Sequence, residues 1–520
     1  MNSSTKLAHS VIRDLIEVGV SNFVISPGSR NAPLLIALNE ASEKQLIDLH
    51  VKIDERGAAF FALGIAKASN NYAAVICTSG TAAANFHPAA LEALHSNSKL
   101  LIITADRPER LRKTGSNQTT NQVGIYSLIK THDLATTIQI KPLLNGGPVH
   151  LNVQFDEPLL SNVKDSWLSG IKVTPAEYKN NVTGKLEVTT GVLVIGHDRA
   201  GYEVSEVNEF ASKLNWPVIA EDPISFPQAI AHTPLFLSDE KIREKLAPES
   251  IIVIGRTTLS RSTNNFIQLA NKVIVIDPRI SSIDDKRQAD LLLTNLPNEV
   301  TSSSSDTKIW QKILELAVSQ IKEIKWSEQL AAITICKLLP NDSALFVGSS
   351  RPVRDIEAFA APRSGVDVFA NRGLAGIDGN ISTAFGIATK YKSSSAIMGD
   401  LTFLHDISAL ANKSKENLRI YVIDNNGGGI FSTLPQAEVE NFDQLFGTPH
   451  NLDLTKVVAG FGVSVSKVSD LKQLQTAISK PIKGLDVVVV EVPSRESNAE
   501  GLKEITQRVS RAVRIGINLA

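Results

Sequence analysis

Residues 396–429 read AIMGDLTFLHDISALANKSKENLRIYVIDNNGGG, and this stretch contains two short apolar runs that each end in polar residues. The first run, Ala396–Met398, is followed by Gly399-Asp400. The second run, Arg419–Ile423, is followed by Asp424-Asn425-Asn426-Gly427. Short continuous apolar runs are typical of parallel strands that are buried on both faces, and ligands bind beyond the carboxyl ends of such strands. The stretch therefore predicts two parallel strands with a ligand site at their carboxyl ends.

The same alternation of short apolar runs and longer amphipathic segments extends along the whole chain. Predicted helices such as Glu55–Ser69 and Asp355–Ala361 separate the runs, which is the pattern of repeated βαβ units. The other predicted strands are Asn22–Ser26, Ala73–Thr78, Leu100–Thr104, Gly191–Gly196, Ile251–Gly255, Lys272–Ile276, Ala344–Val347 and Val487–Val492. The predicted fold class is therefore α/β, built of doubly wound parallel sheets.

Two polar segments of the chain predict domain boundaries. The first follows Gly146–Leu160 and continues to about Glu187, and the second is Asn295–Lys308, which is rich in Ser, Asn and Pro. A length of 520 residues suggests about three or four domains. Dividing the chain at the two segments predicts three, at residues 1–165, 188–300 and 325–520.

The composition excludes several classes of protein. The chain has 53 Lys and Arg against 54 Asp and Glu, a formal net charge of −1, whereas proteins that coat nucleic acid are basic. The two cysteines, Cys77 and Cys336, exclude a disulfide scaffold and a cysteine-rich zinc site and fit a reducing compartment. No stretch approaches the roughly 20 apolar residues of a membrane span. We therefore expect a cytoplasmic protein with no nucleic-acid partner and no membrane span.

The polar residues after the two opening strands predict a metal-bound diphosphate. Asp400 and the Asn425 amide supply the oxygen ligands that Mg²⁺ prefers, and the glycines allow close approach of the backbone. The alternative is that each cluster is only a strand-to-helix turn with helix caps. The spacing resembles that of thiamine-diphosphate (ThDP) enzymes, in which Gly-Asp-Gly is followed one strand later by Asn-Asn. This chain departs from that pattern because Leu401 replaces the last glycine.

A second feature of ThDP enzymes is a carboxylic acid beside N1′ of the aminopyrimidine. It favours the tautomer that removes the thiazolium C2 proton. In this superfamily, that glutamate opens a helix after a short strand, and Glu55 has such a position in HVKIDERGAAFFALGIAKAS, residues 50–69. The alternative is an ordinary first-turn acid that interacts with the helix dipole, as Asp54 would also do. The glycine-containing turn Cys77–Thr81 suits the pyrimidine pocket.

Longer segments carry a more specific resemblance. They are Ser26–Leu34 (SPGSRNAPL), Asp54–Arg56 (DER), Ala105–Pro108 (ADRP), Asn117–Gln118 (NQ) and Asn371–Gly379 (NRGLAGIDG). In this order they resemble the MenD family of ThDP enzymes, the 2-succinyl-5-enolpyruvyl-6-hydroxy-3-cyclohexene-1-carboxylate (SEPHCHC) synthases of menaquinone biosynthesis. The resemblance covers both outer domains, and the central domain carries little of it. It implies a pyrimidine-binding first domain, a central domain and a diphosphate-binding third domain.

The resemblance also implies the reaction, that of a transferase that depends on ThDP and on Mg²⁺ or Mn²⁺. In this family, 2-oxoglutarate loses CO₂, and the succinyl-semialdehyde carbanion that remains adds to isochorismate in a 1,4-addition that gives SEPHCHC. One alternative is another ThDP enzyme, of the acetohydroxyacid synthase or 2-oxoacid decarboxylase type, although a monocarboxylic substrate would need fewer arginines. The other is an α/β protein that binds ThDP or a nucleotide without turnover, for which Glu55 would have no use.

The site residues follow from matching the family's motifs to this sequence. Two dicarboxylic substrates need cationic contacts, and arginine binds a carboxylate through two parallel hydrogen bonds. For the substrates the match implies Ser29, Arg30, Arg107, Gln118, Arg261, Ser350, Arg354 and Arg372, in turns at predicted strand ends. For the cofactor it implies Glu55, Asp400, Asn425, Ile430, Phe431 and Leu434, with Asp400, Asn425 and the Gly427 carbonyl on the metal. Some family members have lysine at the position of Arg261, and Arg256 is the alternative there.

Further expectations concern the cofactor pocket and the assembly. Ile430 is expected beneath the ThDP rings, where a bulky aliphatic side chain holds the cofactor bent; the alternative is that Ile430 and Phe431 begin a core-packed helix. Four histidines are expected to be structural or exposed because their spacing fits no metal site; they are His87, His95, His405 and His450. The family places active sites between subunits, so a homodimer or homotetramer is expected.

Overall fold

The structure is a computed structural model that describes residues 2–161, 166–175, 184–196, 198–279, 289–412 and 415–519. The chain forms two compact units. Unit 1 consists of Met1–Lys179, Asn371–Tyr391 and His405–Glu416, and unit 2 consists of Asn180–Ala370, Lys392–Leu404 and Asn417–Ala520. Residues 162–165 and 176–183, which belong to the first predicted boundary segment, lie outside the described residues.

Unit 1 is built around a six-stranded sheet in which every neighbouring pair is parallel. Its strands are β1 (Asn22–Ile25), β2 (Asp48–Val51), β3 (Ala73–Cys77), β4 (Leu100–Asp106), β5 (Thr131–Leu134) and β6 (Val149–Gln154). Their spatial order is β2-β1-β3-β4-β6-β5. The inner strands β3 and β4 are buried along their whole length, which agrees with apolar runs covered on both faces.

Unit 2 contains two larger sheets and one strand pair, all parallel. The strands of the pair are β7 (Lys185–Glu187) and β13 (Glu299–Thr301). The five-stranded sheet contains β8 (Gly191–Ile195), β9 (Val218–Ala220), β10 (Ser250–Ile254), β11 (Lys272–Ile276) and β12 (Leu291–Leu293), in the order β12-β11-β10-β8-β9. The six-stranded sheet contains β14 (Ser343–Val347), β15 (Val366–Phe369), β16 (Ser394–Gly399), β17 (Leu418–Asp424), β18 (Ser464–Val468) and β19 (Leu485–Glu491), in the order β15-β14-β16-β17-β19-β18.

Several helices begin where a side chain accepts a free N–H group of the first turn. Numbered along the chain, they are α1 (Ser3–Glu17), α2 (Ala32–Glu43), α3 (Glu55–Ser69), α4 (Thr81–Asn85), α5 (His87–Ser96), α6 (Val204–Leu214), α7 (Thr233–Phe236), α8 (Glu240–Leu246), α9 (Arg261–Ile267), α10 (Lys308–Ile321), α11 (Glu328–Leu338), α12 (Arg351–Phe359), α13 (Asn380–Ala388), α14 (Asp400–His405), α15 (Leu454–Gly460), α16 (Leu471–Ser479) and α17 (Arg495–Gly516). The Asn2 side chain caps α1, Asp54 caps α3 and Ser327 caps α11. Among the residues that the structure describes, no helix combines the length and the apolar content that a membrane crossing requires.

The two six-stranded sheets share one strand order. Counted from its own first strand, each sheet runs 2-1-3-4-6-5. In this order the chain moves outward on one side of strand 1 and then returns to strand 3 on the other side. The crevice at the carboxyl ends of strands 1 and 3 is the place where such sheets bind ligands. In unit 1 this point lies after β1 and β3, and in unit 2 it lies after β14 and β16.

The structure confirms the α/β class and the parallel sheets. Predictions failed where the apolar signal is weak, as in the edge strands β2 and β18, whose residues are mostly half-buried or exposed. β6, which lies in Gly146–Leu160 before the first predicted boundary, was also not among the predicted strands. The predicted helix Asp355–Ala361 was wrong at both ends, because α12 begins at Arg351 with Pro352 in its first turn, where the missing N–H costs nothing.

Helices α3 and α13 pack within unit 1 with their backbones in close contact. A Cβ atom on Gly64 of α3 would lie 2.1 Å from the carbonyl oxygen of Thr383. A Cβ atom on Gly386 of α13 would lie 2.0 Å from the carbonyl oxygen of Phe61. Packing between the two helices, and not backbone conformation, therefore requires glycine at both positions.

We expect Gly64→Ala to lower the free energy of unfolding by about 1–3 kcal/mol, because the added methyl group must push the two helices apart. Gly501→Ala in α17 is the matched control, since a Cβ atom there meets nothing within 4 Å. The control should be neutral or should stabilise the protein by up to about 1 kcal/mol, because alanine favours the helix. Thermal unfolding of both variants measures the difference. Equal effects would contradict the close contact.

Candidate functional site

A compact cluster of acidic and imidazole groups lies at the carboxyl ends of β16 and β17. One ligand atom each from Asp400, Asp424 and His450 lies within 4.8 Å of the others. His450 Nε2 is 3.4 Å from Asp400 Oδ2 and 3.6 Å from Asp424 Oδ1. The register of the two strands, in which Gly399 is opposite Ile423, brings these residues to one edge of the sheet.

The electrostatics of this cluster favour a cation. The Asp400 carboxylate raises the pKa of His450, which then holds a proton more tightly than an exposed histidine. Burial, together with the charge of Asp400, raises the pKa of Asp424. Both pKa shifts have the same origin. Two carboxylates in one partly buried place repel each other, and a positive charge between them lowers that repulsion. A proton or a divalent metal ion supplies that charge.

The Asn425 side chain next to this cluster has a fixed orientation. Its Nδ2 donates a hydrogen bond to Glu328 Oε2 at 3.2 Å, and because a carboxylate only accepts, this contact defines which amide atom is nitrogen. Asn425 Oδ1 is buried and accepts no hydrogen bond from the described residues. A buried acceptor of this kind needs a partner, and a metal ion is one that oxygen ligands bind well.

Glu328 is itself held by a buried arginine. Only 4 % of Glu328 is exposed, and its Oε1 lies 3.1 Å from Arg351 Nε. Arg351 also pairs with Asp355, whose pKa is raised by burial despite that contact. These contacts join the Asn425 amide to the first turn of α12. That turn belongs to the segment that the sequence assigned to substrate.

Gly427 lies where a side chain has no room. Its φ is +136°, and an added Cβ atom would lie 2.1 Å from the carbonyl oxygen of Gly447. Its N–H donates to Asp400 Oδ2 at 2.8 Å. The Gly427 backbone is therefore held in place beside Asp400, and no side chain keeps a ligand away from it.

The hydrophobic residues predicted for the cofactor pocket follow on a short 3₁₀ helix, Phe431–Thr433. Ile430, Phe431 and Leu434 are half-buried, and the turn buries none of its own residues completely. The Phe431 ring lies 5.5 Å from the ring of Phe446. The alternative that Ile430 and Phe431 begin a core-packed helix is wrong, because the turn ends after three residues and stays partly exposed.

Two substrate candidates lie at the start of α12. Ser350 is its N-cap residue, with φ +74°, and its carbonyl oxygen accepts a hydrogen bond from Arg354 Nη1 at 2.8 Å. Arg354 was expected in a turn and lies instead inside the helix, which Pro352 allows to begin early.

The third candidate of unit 2 lies at the start of a neighbouring helix. Arg261 is the first residue of α9 and is exposed. Helix α9 contacts α12 through a hydrogen bond of 3.3 Å from Thr263 Oγ1 to Glu357 Oε1. The alternative, Arg256, donates its backbone N–H to Asp198 at 3.3 Å. These contacts leave both arginines as candidates.

In unit 1, the loops after β1 and β3 meet at the crevice. A Cβ atom on Gly28 would lie 2.4 Å from Thr78 Cβ, so the two loops are in direct contact. Ser29 is exposed at the tip of the first loop. Next to it, Arg30 Nη1 donates to the carbonyl oxygen of Phe155 at 3.1 Å.

Arg107 and Gln118 join this group through the turn that contains Ser79. Arg107 Nη1 donates to Ser79 Oγ at 3.0 Å and to the Gln118 carbonyl oxygen at 2.9 Å, and Gln118 Nε2 donates to the Ser79 carbonyl oxygen at 3.1 Å. Burial and the neighbouring charge of Arg30 lower the pKa of Arg107. A bound anion would lower the repulsion between these two guanidinium groups. The structure thus brings together the four substrate candidates of the first domain.

Glu55 is the first residue of α3, as the sequence predicted, and Lys52–Asp54 connect it to β2. The cap of this helix is Asp54, whose Oδ1 accepts the N–H groups of Arg56 at 2.9 Å and of Gly57 at 3.4 Å. The Glu55 carboxylate is therefore not used for capping. Its Oε2 accepts a hydrogen bond from Asn85 Nδ2 at 3.3 Å.

Arg372, the remaining substrate candidate, belongs to unit 1 and is 8 % exposed.

Three residues of the acidic site were missed by the sequence reasoning. Asp424 was quoted in its motif and given no role, Glu328 was not considered, and His450 was expected to be structural or exposed. His450 is not exposed, because its side chain is 8 % accessible and faces two carboxylates, a position that the prediction did not anticipate. No local spacing could have identified it, since folding brings together residues that are far apart in the chain. His405 is exposed, as expected.

A buried polar network anchors the loop that carries Gln118. Arg112 Nε lies 2.9 Å from Asp106 Oδ2, and its Nη atoms bind Asp133 at 2.9 and 2.7 Å. Asn152 Nδ2 donates to Asp106 at 3.0 Å and to Asp133 at 2.8 Å. Burial alone would raise the pKa of Asp133, but hydrogen bonds from Arg112 and Asn152 outweigh it and lower the pKa below the ordinary 3.8.

Comparisons with known proteins agree with this arrangement. Models of the thiamine pyrophosphate enzymes match residues 5–125 (N-terminal TPP binding domain), 161–347 (middle domain) and 353–492 (C-terminal TPP binding domain). A 2-succinyl-5-enolpyruvyl-6-hydroxy-3-cyclohexene-1-carboxylate synthase of Nocardioides sp. is 36 % identical, over 96 % of this chain and 97 % of its own. The synthase of Lysinibacillus sphaericus is 34 % identical over 97 % and 98 %, and that of Thermobifida fusca is 32 % identical over 99 % and 100 %.

We expect Arg112→Met to lower the free energy of unfolding at pH 7 by about 3 kcal/mol, because it leaves two carboxylates without their cation. The folded-state pKa of Asp133 lies below its ordinary value. The stabilisation is therefore complete above about pH 4 and is lost as the pH falls through that lower pKa, so the difference from wild type should shrink between pH 7 and pH 3. Urea unfolding at both pH values measures it.

Arg110→Met is the control for this prediction. Its pair with Asp156 is exposed, with 61 % and 43 % of the two side chains accessible. Its loss should cost less than about 1 kcal/mol. A similar loss in both variants would contradict the role of the buried network.

Proposed function

This chain belongs to the family of 2-succinyl-5-enolpyruvyl-6-hydroxy-3-cyclohexene-1-carboxylate synthases, and we propose that it catalyses their reaction in menaquinone biosynthesis. It decarboxylates 2-oxoglutarate and joins the remaining four-carbon unit to isochorismate by 1,4-addition, with ThDP as cofactor. The observation that carries the proposal is the similarity along nearly the whole chain, together with the site residues gathered at strand ends. When bound, ThDP would supply a nucleophilic C2 atom and a thiazolium ring that acts as the electron sink for the loss of CO₂.

We assign the divalent metal ion, Mg²⁺ or Mn²⁺, to the carboxyl ends of β16 and β17. Asp400, Asn425 Oδ1 and the Gly427 carbonyl oxygen form a set of hard oxygen ligands. The unpaired, buried Asn425 Oδ1 supports the assignment, because it is an acceptor in need of a cation. Asp424 and His450 lie beside these ligands and add negative charge and a dissociable proton.

The half-buried residues Ile430, Phe431 and Leu434 would contact the cofactor rings. Each is an apolar side chain that the hydrophobic core buries only in part, so that surface remains to contact a ligand. Ile430 would lie against the rings and hold the two of them in a bent arrangement. A short 3₁₀ turn suits this task, because it presents its side chains without burying them.

Glu55 would hold a proton beside N1′ of the aminopyrimidine. Since Asp54 already caps α3, the Glu55 carboxylate is available for a ligand. Its hydrogen bond with Asn85 comes from an amide, which can orient the carboxylate without neutralising it. The alternative of a plain helix-dipole residue would give no reason for two consecutive acids at this helix start.

The arginines would bind the carboxylates of 2-oxoglutarate and isochorismate. In unit 1, Arg30 and Arg107 are close enough for the charge of one to lower the pKa of the other, with Ser29 and Gln118 beside them. In unit 2, Ser350, Arg354 and either Arg261 or Arg256 lie on the contacting helices α9 and α12 or just before them. Arg372 completes the set. Arginine suits this task because its planar fork matches a carboxylate and stays charged.

We propose that the enzyme acts in the cytoplasm as a homodimer or homotetramer with its active sites between subunits. The two buried, free cysteines, Cys77 and Cys336, support the cytoplasmic location, because they suit a reducing compartment. We further propose the division into a pyrimidine-binding domain at 1–165, a central domain at 188–300 and a diphosphate-binding domain at 325–520. Its partners are then two small dicarboxylates and further copies of itself.

An activity assay tests the function directly. The protein is incubated with ThDP, Mg²⁺, 2-oxoglutarate and isochorismate, and the loss of isochorismate is followed together with the release of CO₂. Both should proceed at the same rate, and omission of ThDP should abolish both. Turnover of pyruvate without turnover of 2-oxoglutarate would show a different ThDP enzyme.

In the same assay, Glu55→Gln should bind ThDP and lose about 10²- to 10⁴-fold in rate, the usual contribution of a positioned acid or base. Asp54→Asn is the control, because asparagine is an equally good helix cap and leaves Glu55 in place. ThDP binding is measured by calorimetry in both variants. Wild-type activity in Glu55→Gln would remove this residue from its assigned role.

Glu328→Gln should weaken Mn²⁺ binding in the presence of ThDP by about 10- to 100-fold, the usual effect of losing a group that orients a metal ligand. The glutamine can turn its own amide toward Asn425 and so release the orientation of Oδ1. Electron paramagnetic resonance of free Mn²⁺ measures the affinity without any turnover.

Asp355→Asn is the control for the metal experiment, because Asp355 shares Arg351 with Glu328 and has no contact with Asn425 in the described residues. It should leave Mn²⁺ affinity within about twofold of wild type, since it perturbs the ion pairs without touching a ligand. Equal losses in the two variants would mean that the ion pairs only stabilise the fold.

A further inference from the structure

We propose that Glu92, on α5, is a positioning residue for Arg372. Its carboxylate holds the backbone that follows Arg372 and thereby sets where the guanidinium meets a substrate carboxylate. The inference rests on the proposed role of Arg372 in substrate binding and adds a residue that no sequence motif indicated. Both residues belong to unit 1.

Glu92 binds two consecutive backbone N–H groups. Its Oε1 accepts from Gly373 at 2.8 Å, and its Oε2 accepts from Leu374 at 2.7 Å. Each carboxylate oxygen therefore takes one N–H, directly after Arg372 in the chain. Hydrogen bonds to a charged acceptor are the stronger kind, and these two define the position of the loop in two places.

Glu92 is 3 % exposed, which is unusual for a glutamate, so its burial must be compensated. Lys67 of α3 supplies part of the compensation, with Nζ at 3.2 Å from Oε1. The two loop N–H groups supply the rest. If the loop moved away, the Glu92 carboxylate would lose two hydrogen bonds at a place that water reaches poorly. Movement of the loop is therefore unfavourable.

The shape of the contact adds a second constraint. A Cβ atom on Gly373 would lie 2.5 Å from the carbonyl oxygen of Glu92 and 2.9 Å from its Oε2. The loop thus lies directly on α5, with no space for a side chain between them. Glycine is needed at this position for close approach.

Arg372 is anchored on its other side as well. Asn371 Nδ2 donates to Thr383 Oγ1 of α13 at 2.9 Å, and Asn371 is 2 % exposed. The backbone of Arg372 is therefore held immediately before and immediately after the residue. A long side chain binds best when its base is fixed, because less freedom is then lost on binding. Glu92 supplies the anchor on the carboxyl side.

A double-mutant cycle of Glu92→Gln and Arg372→Ala tests the proposal. Glutamine keeps the size of the side chain but turns an NH₂ group toward one of the two loop N–H groups. We expect Glu92→Gln to raise KM about tenfold for the substrate whose KM Arg372→Ala raises, with kcat and ThDP affinity nearly unchanged. In the Arg372→Ala background, Glu92→Gln should change that KM by less than about twofold, because the group it positions is absent.

The outcomes separate this proposal from the function on which it rests. If Arg372→Ala has wild-type kinetics, Arg372 binds no substrate and its assignment under the proposed function fails. If Arg372→Ala raises KM but Glu92→Gln raises it by the same factor in both backgrounds, the proposed function stands and the positioning role of Glu92 is overturned.

Two further variants guard against a loss of folding. Gly373→Ala disturbs the same contact from the loop side, and its effect on KM should also vanish in the Arg372→Ala background. Asp222→Asn is the matched control: Asp222 is 3 % exposed and accepts the N–H groups of Ile224 at 3.1 Å and Ser225 at 3.3 Å, in a loop without substrate candidates. It should lower the melting temperature and leave KM unchanged. A matching rise of KM in Asp222→Asn would show that Glu92→Gln acts through general destabilisation.

Discussion

The hydrogen bond from the Gly427 N–H to the Asp400 carboxylate is the contact on which the acidic site depends. It joins the chain just after β16 to the chain just after β17 and holds both loops at one edge of the sheet. With the loops fixed, the Asn425 amide can meet Glu328, and His450 can approach two carboxylates. Because a backbone group makes this bond, it depends on the strand register and not on a side chain that must first be ordered.

The sequence predicted the parts of the fold whose signal is local. The helix Glu55–Ser69 and the strand Lys272–Ile276 have the predicted bounds, because a continuous apolar pattern with a clear cap or turn leaves little freedom. The start of α12 was missed because Pro352 was interpreted as part of a turn. In the acidic site, the sequence predicted the residues that belong to recognisable motifs, such as Asp400 and Asn425. His450 and Glu328 are placed by tertiary contacts, which no pattern along the chain encodes.

The near-neutral composition conceals two local sites of opposite sign. In unit 1, Arg30 and Arg107 form a cationic site at the ends of two strands, whereas in unit 2 Asp400 and Asp424 form an acidic one. Partial burial at each site strengthens the interaction of like charges and so increases the affinity for a counter-charge. A near-neutral net charge is not typical of proteins that bind a long polyanion, and it says nothing about small charged ligands.

The repeated strand order of the two six-stranded sheets separates architecture from ligand choice. The same sequence of crossovers carries a cationic site at strand ends in one unit and an acidic site at strand ends in the other. The inner strands of the two sheets are similar in chemistry, since they are mostly short runs of buried apolar residues. Mutation can thus reverse the sign of a binding site by changing a few residues after a strand, while the order of the strands, and the core that depends on it, stays untouched.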